Sequence, residues 1–102
     1  MKTSKRAKLE AAGWAVGSAK DFLGLSPEEA AFVEMKVALS QSVRQWRTRR
    51  KLTQGELARR LRSSQSRVAK MEAADRTVSV ALLLRSLLKL GAKPKDIARA
   101  IA

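Results

Sequence analysis

Residues 52–72 read Leu52-Thr53-Gln54-Gly55-Glu56-Leu57-Ala58-Arg59-Arg60-Leu61-Arg62-Ser63-Ser64-Gln65-Ser66-Arg67-Val68-Ala69-Lys70-Met71-Glu72. Thr53 and Glu56 have the spacing of a capping box, in which each satisfies a backbone N–H of the other, and Leu52 precedes them as a hydrophobic staple. The helix they open turns Leu57, Ala58 and Leu61 inward and runs out near Arg60 to Arg62. Ser63-Ser64 then breaks the pattern, and Ser64 caps a second helix over 65–73 that buries Val68 and Met71. Two short helices joined by such a turn form a helix-turn-helix unit. Spacing alone only suggests this, because any helical bundle contains similar pairs.

Upstream, Ser26-Pro27-Glu28-Glu29 is a second helix start, with a capping serine, proline at the first helical position and Glu29 completing the box. No breaker follows until about Lys51, so one long helix, or two abutting ones, is expected over 27–51. Val33, Val37, Leu39, Val43 and Trp46 supply its helically spaced apolar positions. Downstream, Asp75-Arg76-Thr77 makes a loop, and Ser79 caps a helix over 80–90 that Gly91 closes. Pro94 opens a last short helix over 94–101. Ahead of all this, Ser4 could cap a short helix ending at Gly13, followed by an irregular stretch. The expected fold is all-α, a bundle of about five helices over 26–102 with an N-terminal extension over 1–25.

The 102 residues carry 22 Lys plus Arg against 9 Asp plus Glu, a formal charge of +13. Such an excess repels itself and suits a polyanionic partner, nucleic acid first and an anionic membrane surface second. Between residues 44 and 70 stand Arg44, Arg47, Arg49, Arg50, Lys51, Arg59, Arg60, Arg62, Arg67 and Lys70, against Glu56 alone. A solvated helix face usually mixes signs, so this asymmetry favours phosphate binding. The membrane reading fails because these cations are not backed by one clean apolar face. No apolar run is long enough to span a bilayer, and the basic start Met1-Lys2-Thr3-Ser4-Lys5-Arg6 is not followed by the apolar core of a secretory signal. With neither His nor Cys, the usual general base, thiol nucleophile and zinc ligands are missing. An enzyme, a metal and a cofactor are therefore not expected.

The residues of 52–72 resemble the Cro/cI/XRE family of phage-repressor-like regulators, whose pattern runs roughly L-T-Q-x-E-L-A-x-x-L-G-V-S-Q-S-x-[IV]-S-x-[IL]-E. Polar and apolar positions both match. The resemblance implies that the helix beginning at Gln65 enters the major groove of DNA and that Gln65, Ser66, Arg67 and Lys70 read bases. Their chemistry fits, since Gln pairs two-fold with adenine and Arg or Lys suits guanine. Thr53, Gln54, Arg62 and Ser64 would meet the DNA backbone, with Gln54 also bracing Gln65. Arg47 and Glu72 occupy positions that pair inside this family's domain, tying the long helix to the recognition helix; the alternative puts Arg47 on a phosphate. Trp46 is expected in the core with Val43 and Leu57. Two departures stand out. Arg62-Ser63 replaces the usual Gly and small apolar residue, so Arg62 either avoids the left-handed conformation or accepts strain there. Ala69 replaces a common Ser, which removes a polar contact.

The helix over 80–90 is apolar on more than one side. Leu83, Leu87 and Leu90 can line a core, which leaves Leu84 and Leu88, with Ile97 and Ile101, as a surplus apolar patch. A two-fold homodimer would cover it and present two recognition helices to a palindromic operator. Otherwise the last helix folds back over those leucines within one chain. Ala11-Ala12-Gly13-Trp14, Phe22-Leu23-Gly24-Leu25-Ser26-Pro27-Glu28-Glu29 and Leu83-Leu84-Arg85-Ser86-Leu87-Leu88-Lys89-Leu90-Gly91-Ala92 resemble HigA-like antitoxins. That resemblance implies a cytoplasmic repressor that neutralises a RelE/HigB-like ribonuclease toxin and represses their shared operon. Trp14, Phe22 and Leu23 would be toxin contacts, or else extra core. Such toxins are usually basic, and Glu28, Glu29 and Glu34 form the one acidic cluster available to meet one. Two further alternatives are a regulator without a toxin and an adaptor that binds nucleic acid weakly.

Overall fold

The computed structural model describes residues 24–102. The helix and irregular stretch expected over 1–23, and the contacts expected of Trp14, Phe22 and Leu23, lie outside the described residues. Among the described residues there are five helices and no strand: α1 (Pro27–Arg49), α2 (Gln54–Arg60), α3 (Gln65–Glu72), α4 (Val80–Lys89) and α5 (Pro94–Ile101).

Each start follows from a local rule. Ser26 Oγ accepts from Glu29 N at 3.1 Å while Ser26 N donates to Glu29 Oε1 at 3.0 Å. Thr53 and Glu56 repeat the arrangement at 3.1 and 2.9 Å. Ser64 and Ser79 cap α3 and α4 by accepting from Arg67 N and Leu82 N. At α5 only one half of the box is made: Lys93 N donates to the Asp96 carboxylate at 2.8 Å.

The ends share one geometry. Beyond α1, α2, α3 and α4 stand Lys51, Arg62, Ala74 and Gly91, all at positive φ. In each case the following N–H reaches back to a carbonyl of the last turn: Leu52 to Arg47, Ser63 to Ala58, Asp75 to Lys70 and Ala92 to Leu87. This is the Schellman closure, which uses carbonyls a helix end would otherwise leave unpaired. At Gly91 glycine is required twice over, since a Cβ there would also collide with Nη2 of Arg50.

α1 is the hub. It packs against α3, α4 and α5, while α2 packs on α3. One core joins Leu39 and Val43 of α1 with Leu57 and Ala58 of α2, Val68 and Met71 of α3, Leu83 and Leu87 of α4, and Leu90 just past its end. Burying each large side chain there contributes on the order of 1.5–3 kcal/mol. The first turns of α1 carry little of this core, and Phe32 and Met35 are 54% and 41% exposed there. The last helix leans on α1, with Ile97 and Ile101 half-buried against the core.

Candidate nucleic-acid interface

α3 is anchored by one side and open on the other. Val68 and Met71 are fully buried, whereas Gln65, Ser66, Arg67 and Lys70 are exposed. None of these four side chains is hydrogen-bonded to another described residue. Two donor–acceptor groups and two cations thus project together from one short helix.

The placement of α3 rests on a buried-edge polar network. Arg47 of α1 reaches Glu72 at the far end of α3 through Nε at 2.5 Å and Nη2 at 3.0 Å. Its third nitrogen, Nη1, donates to the carbonyl of Leu52 at 2.8 Å, so the same guanidinium also fastens the α1–α2 turn. Both side chains are largely shielded, Glu72 being only 5% exposed. Hydrogen bonding to Glu72 raises the Arg47 pKa, against the opposing effect of burial. A two-pronged guanidinium–carboxylate contact fixes orientation as well as distance.

Gln54 joins this network rather than bracing Gln65. Its amide donates to Glu72 Oε1 at 3.2 Å, and an ionised carboxylate is a stronger acceptor than the amide oxygen of Gln65. Gln65 instead lies near Gly55: a Cβ at position 55 would sit 3.9 Å from its Oε1, in ordinary contact. Thr53 and Ser64, both exposed, are occupied as caps through their hydroxyl lone pairs. Arg62 is exposed at the turn and takes the left-handed conformation, φ +54°.

Thr77 was not anticipated at this site. A groove beside α3 is lined by Ser64, Ser66, Arg67, Lys70, Thr77 and Val78. Thr77 is brought there by Asp75, whose carboxylate accepts from Thr77 N at 2.9 Å and from its hydroxyl at 2.6 Å. Those bonds hold the Asp75 carboxyl below its usual range. The signal was available in the Asp-x-Thr spacing, which favours such a local turn. Trp46 is half-buried against the core, and Arg49 stacks over its ring at 5.1 Å from the centroid.

A helix-turn-helix family model matches residues 43–97, a span that takes in the end of α1 and reaches into α5. The chain belongs to the XRE-type helix-turn-helix family. No curated protein and no solved structure matches it. Membership makes this a DNA-binding regulator of transcription, with α3 as the second helix of the motif. Among the described residues no helix is long and apolar enough to cross a membrane, and no group of side chains could hold a metal ion.

Proposed function

We propose that the chain is a sequence-specific transcriptional repressor that binds a palindromic operator as a homodimer. The observation that carries this reading is the outward row of Gln65, Ser66, Arg67 and Lys70 on a helix whose other side is locked into the core. These four side chains read base edges in the major groove. Thr53, Gln54, Arg62 and Ser64 meet the backbone around them, and Thr77, which shares the groove beside α3, joins that group. Arg47 and Glu72 act through α3 by holding its angle. The domain over 26–102 performs this function, and the extension over 1–25 serves partner binding.

Pairing of two copies uses the α4 side. Leu88 is 52% exposed there, with Leu84 half-buried beside it. Ile97 and Ile101 already pack on their own core and contribute only their outer edges. Resemblance to HigA-like antitoxins supports a further role, neutralising a RelE/HigB-like toxin in the cytoplasm. Exposed Phe32 and Met35 beside Glu34 offer a surface suited to a basic partner. Co-purification of a toxin encoded by the neighbouring reading frame tests that role, and failure of the two products to associate removes it.

The DNA reading is tested by selecting preferred sites from a random duplex library. Gln65→Ala and Lys70→Ala should each relax sequence choice and cost about 1–3 kcal/mol at the selected site. Full discrimination by both variants would show that the readers lie elsewhere.

A further inference from the structure

A second cationic surface is built from the end of α1, the α4–α5 turn and α5, and none of its residues belongs to α3. Gly91 sits in contact range of the Arg50 guanidinium, which brings the end of α1 against the α4–α5 turn between Lys89 and Lys93. Next to it, Arg49 of α1 and Arg99 of α5 line one cleft with Ser42, Gln45, Trp46 and Asp96. Arg49, Arg50, Lys89, Lys93 and Arg99 are all exposed. None forms an ion pair with a described residue, and the local carboxylate, Asp96, is committed to the Lys93 backbone N–H.

From this we infer that the α1–α5 cleft and the adjoining α4–α5 turn form a second binding surface for a nucleic-acid backbone. It takes a duplex other than the one read by α3. α1 packs against both α3 and α5, whereas the recognition helix and α5 do not pack extensively on each other. Arg49 is held in place by its stacking on Trp46 rather than left to sweep through solvent. The exposed Gln45 adds a side-chain amide that can hydrogen-bond phosphate oxygens, while nothing in the cleft has the outward row of readers that distinguishes bases. The surface therefore supplies affinity without sequence choice, as expected of phosphate contacts. Its consequence is bridging, in which one molecule holds an operator and a second stretch of DNA.

The experiment is capture of a free fluorescent duplex by protein loaded on a bead-bound duplex carrying the selected site. Wild-type protein should retain the second duplex at low salt and release it as salt rises. In Arg49→Ala/Lys93→Ala/Arg99→Ala protein, capture should be lost while site preference on the first duplex persists. The salt slope for random duplex should also fall by about 0.9 log units for each phosphate contact removed. A Gln65→Ala/Arg67→Ala/Lys70→Ala protein should lose site preference yet keep salt-sensitive duplex binding through the cleft. Exposed Arg99→Gln, which removes one cation and no core contact, checks that loss of capture is not loss of fold. No capture by wild-type protein, or equal capture after the cleft is neutralised, overturns the inference. The latter result would assign bridging to paired recognition helices and leave the operator reading intact.

Discussion

Arg62 occupies the left-handed conformation that closes α2, where a side chain crowds its own backbone. Lys51 and Ala74 do the same after α1 and α3, and only α4 uses glycine at this position. Arg62→Gly should therefore stabilise the fold by about 1 kcal/mol, a rise of several degrees in Tm for a domain this small. Thermal unfolding with an unchanged or lower Tm would refute the strain. Ser40 is a second residue whose cost is visible. It is 1% exposed and its hydroxyl has no partner, whereas the equally buried Ser86 donates to the Leu82 carbonyl at 2.8 Å. Ser40→Ala should raise stability by about 1 kcal/mol, read from denaturant unfolding, and a loss of stability would imply a hidden partner. Neither Ser40 nor the left-handed Lys51 and Ala74 was legible beforehand. A serine between Leu39 and Gln41 reads as surface, and without a glycine nothing marks the residue at which a helix turns back. Arg62 was legible as a dilemma because the family places glycine there, but its resolution needed coordinates.

At the scale of the helix, the starts were the most readable feature. Ser26, Thr53, Ser64 and Ser79 all cap where their spacing predicts, because a cap depends on residues three apart and needs no tertiary information. The α2 box also has a pH signature. Hydrogen bonds from the Thr53 backbone and side chain, in that order of weight, hold the Glu56 carboxyl below its ordinary value of 4.5. A carboxyl depressed in the folded state stabilises above its unfolded pKa, and that contribution disappears as pH falls through the lower folded value. Glu56→Gln should thus flatten the decline of Tm below pH 4.5. An acid limb identical to that of the parent protein would exclude Glu56 from it. Harder to read was the company kept by Gln54. The family resemblance implied an Arg47–Glu72 pair, yet Gln54's bond to the same carboxylate depends on how α2 crosses the end of α3.

For the whole molecule, the apolar pattern of α4 and α5 left open which surface was core and which was contact. An amphipathic helix has the same period whether it faces its own chain or another. Three-dimensional packing divides the set: Ile97, Ile101 and Leu84 lean on the core, and Leu88 remains outside. Leu88→Glu is therefore the sharper test of the dimer than any change at Leu84. It should give monomers by light scattering with little loss of fold, and a persistent dimer mass would reject this interface. The surplus of positive charge was legible from composition, but its division between the α3 side and the α1–α5 cleft depended on Arg50 meeting Gly91.

The missing side chain at Gly55 has a practical outcome. A methyl group placed there would just graze the Gln65 amide, and anything bulkier would push that amide off its present path. Operator preference could then be retuned from a neighbouring helix, by filling or emptying one slot, with none of the base-facing residues substituted.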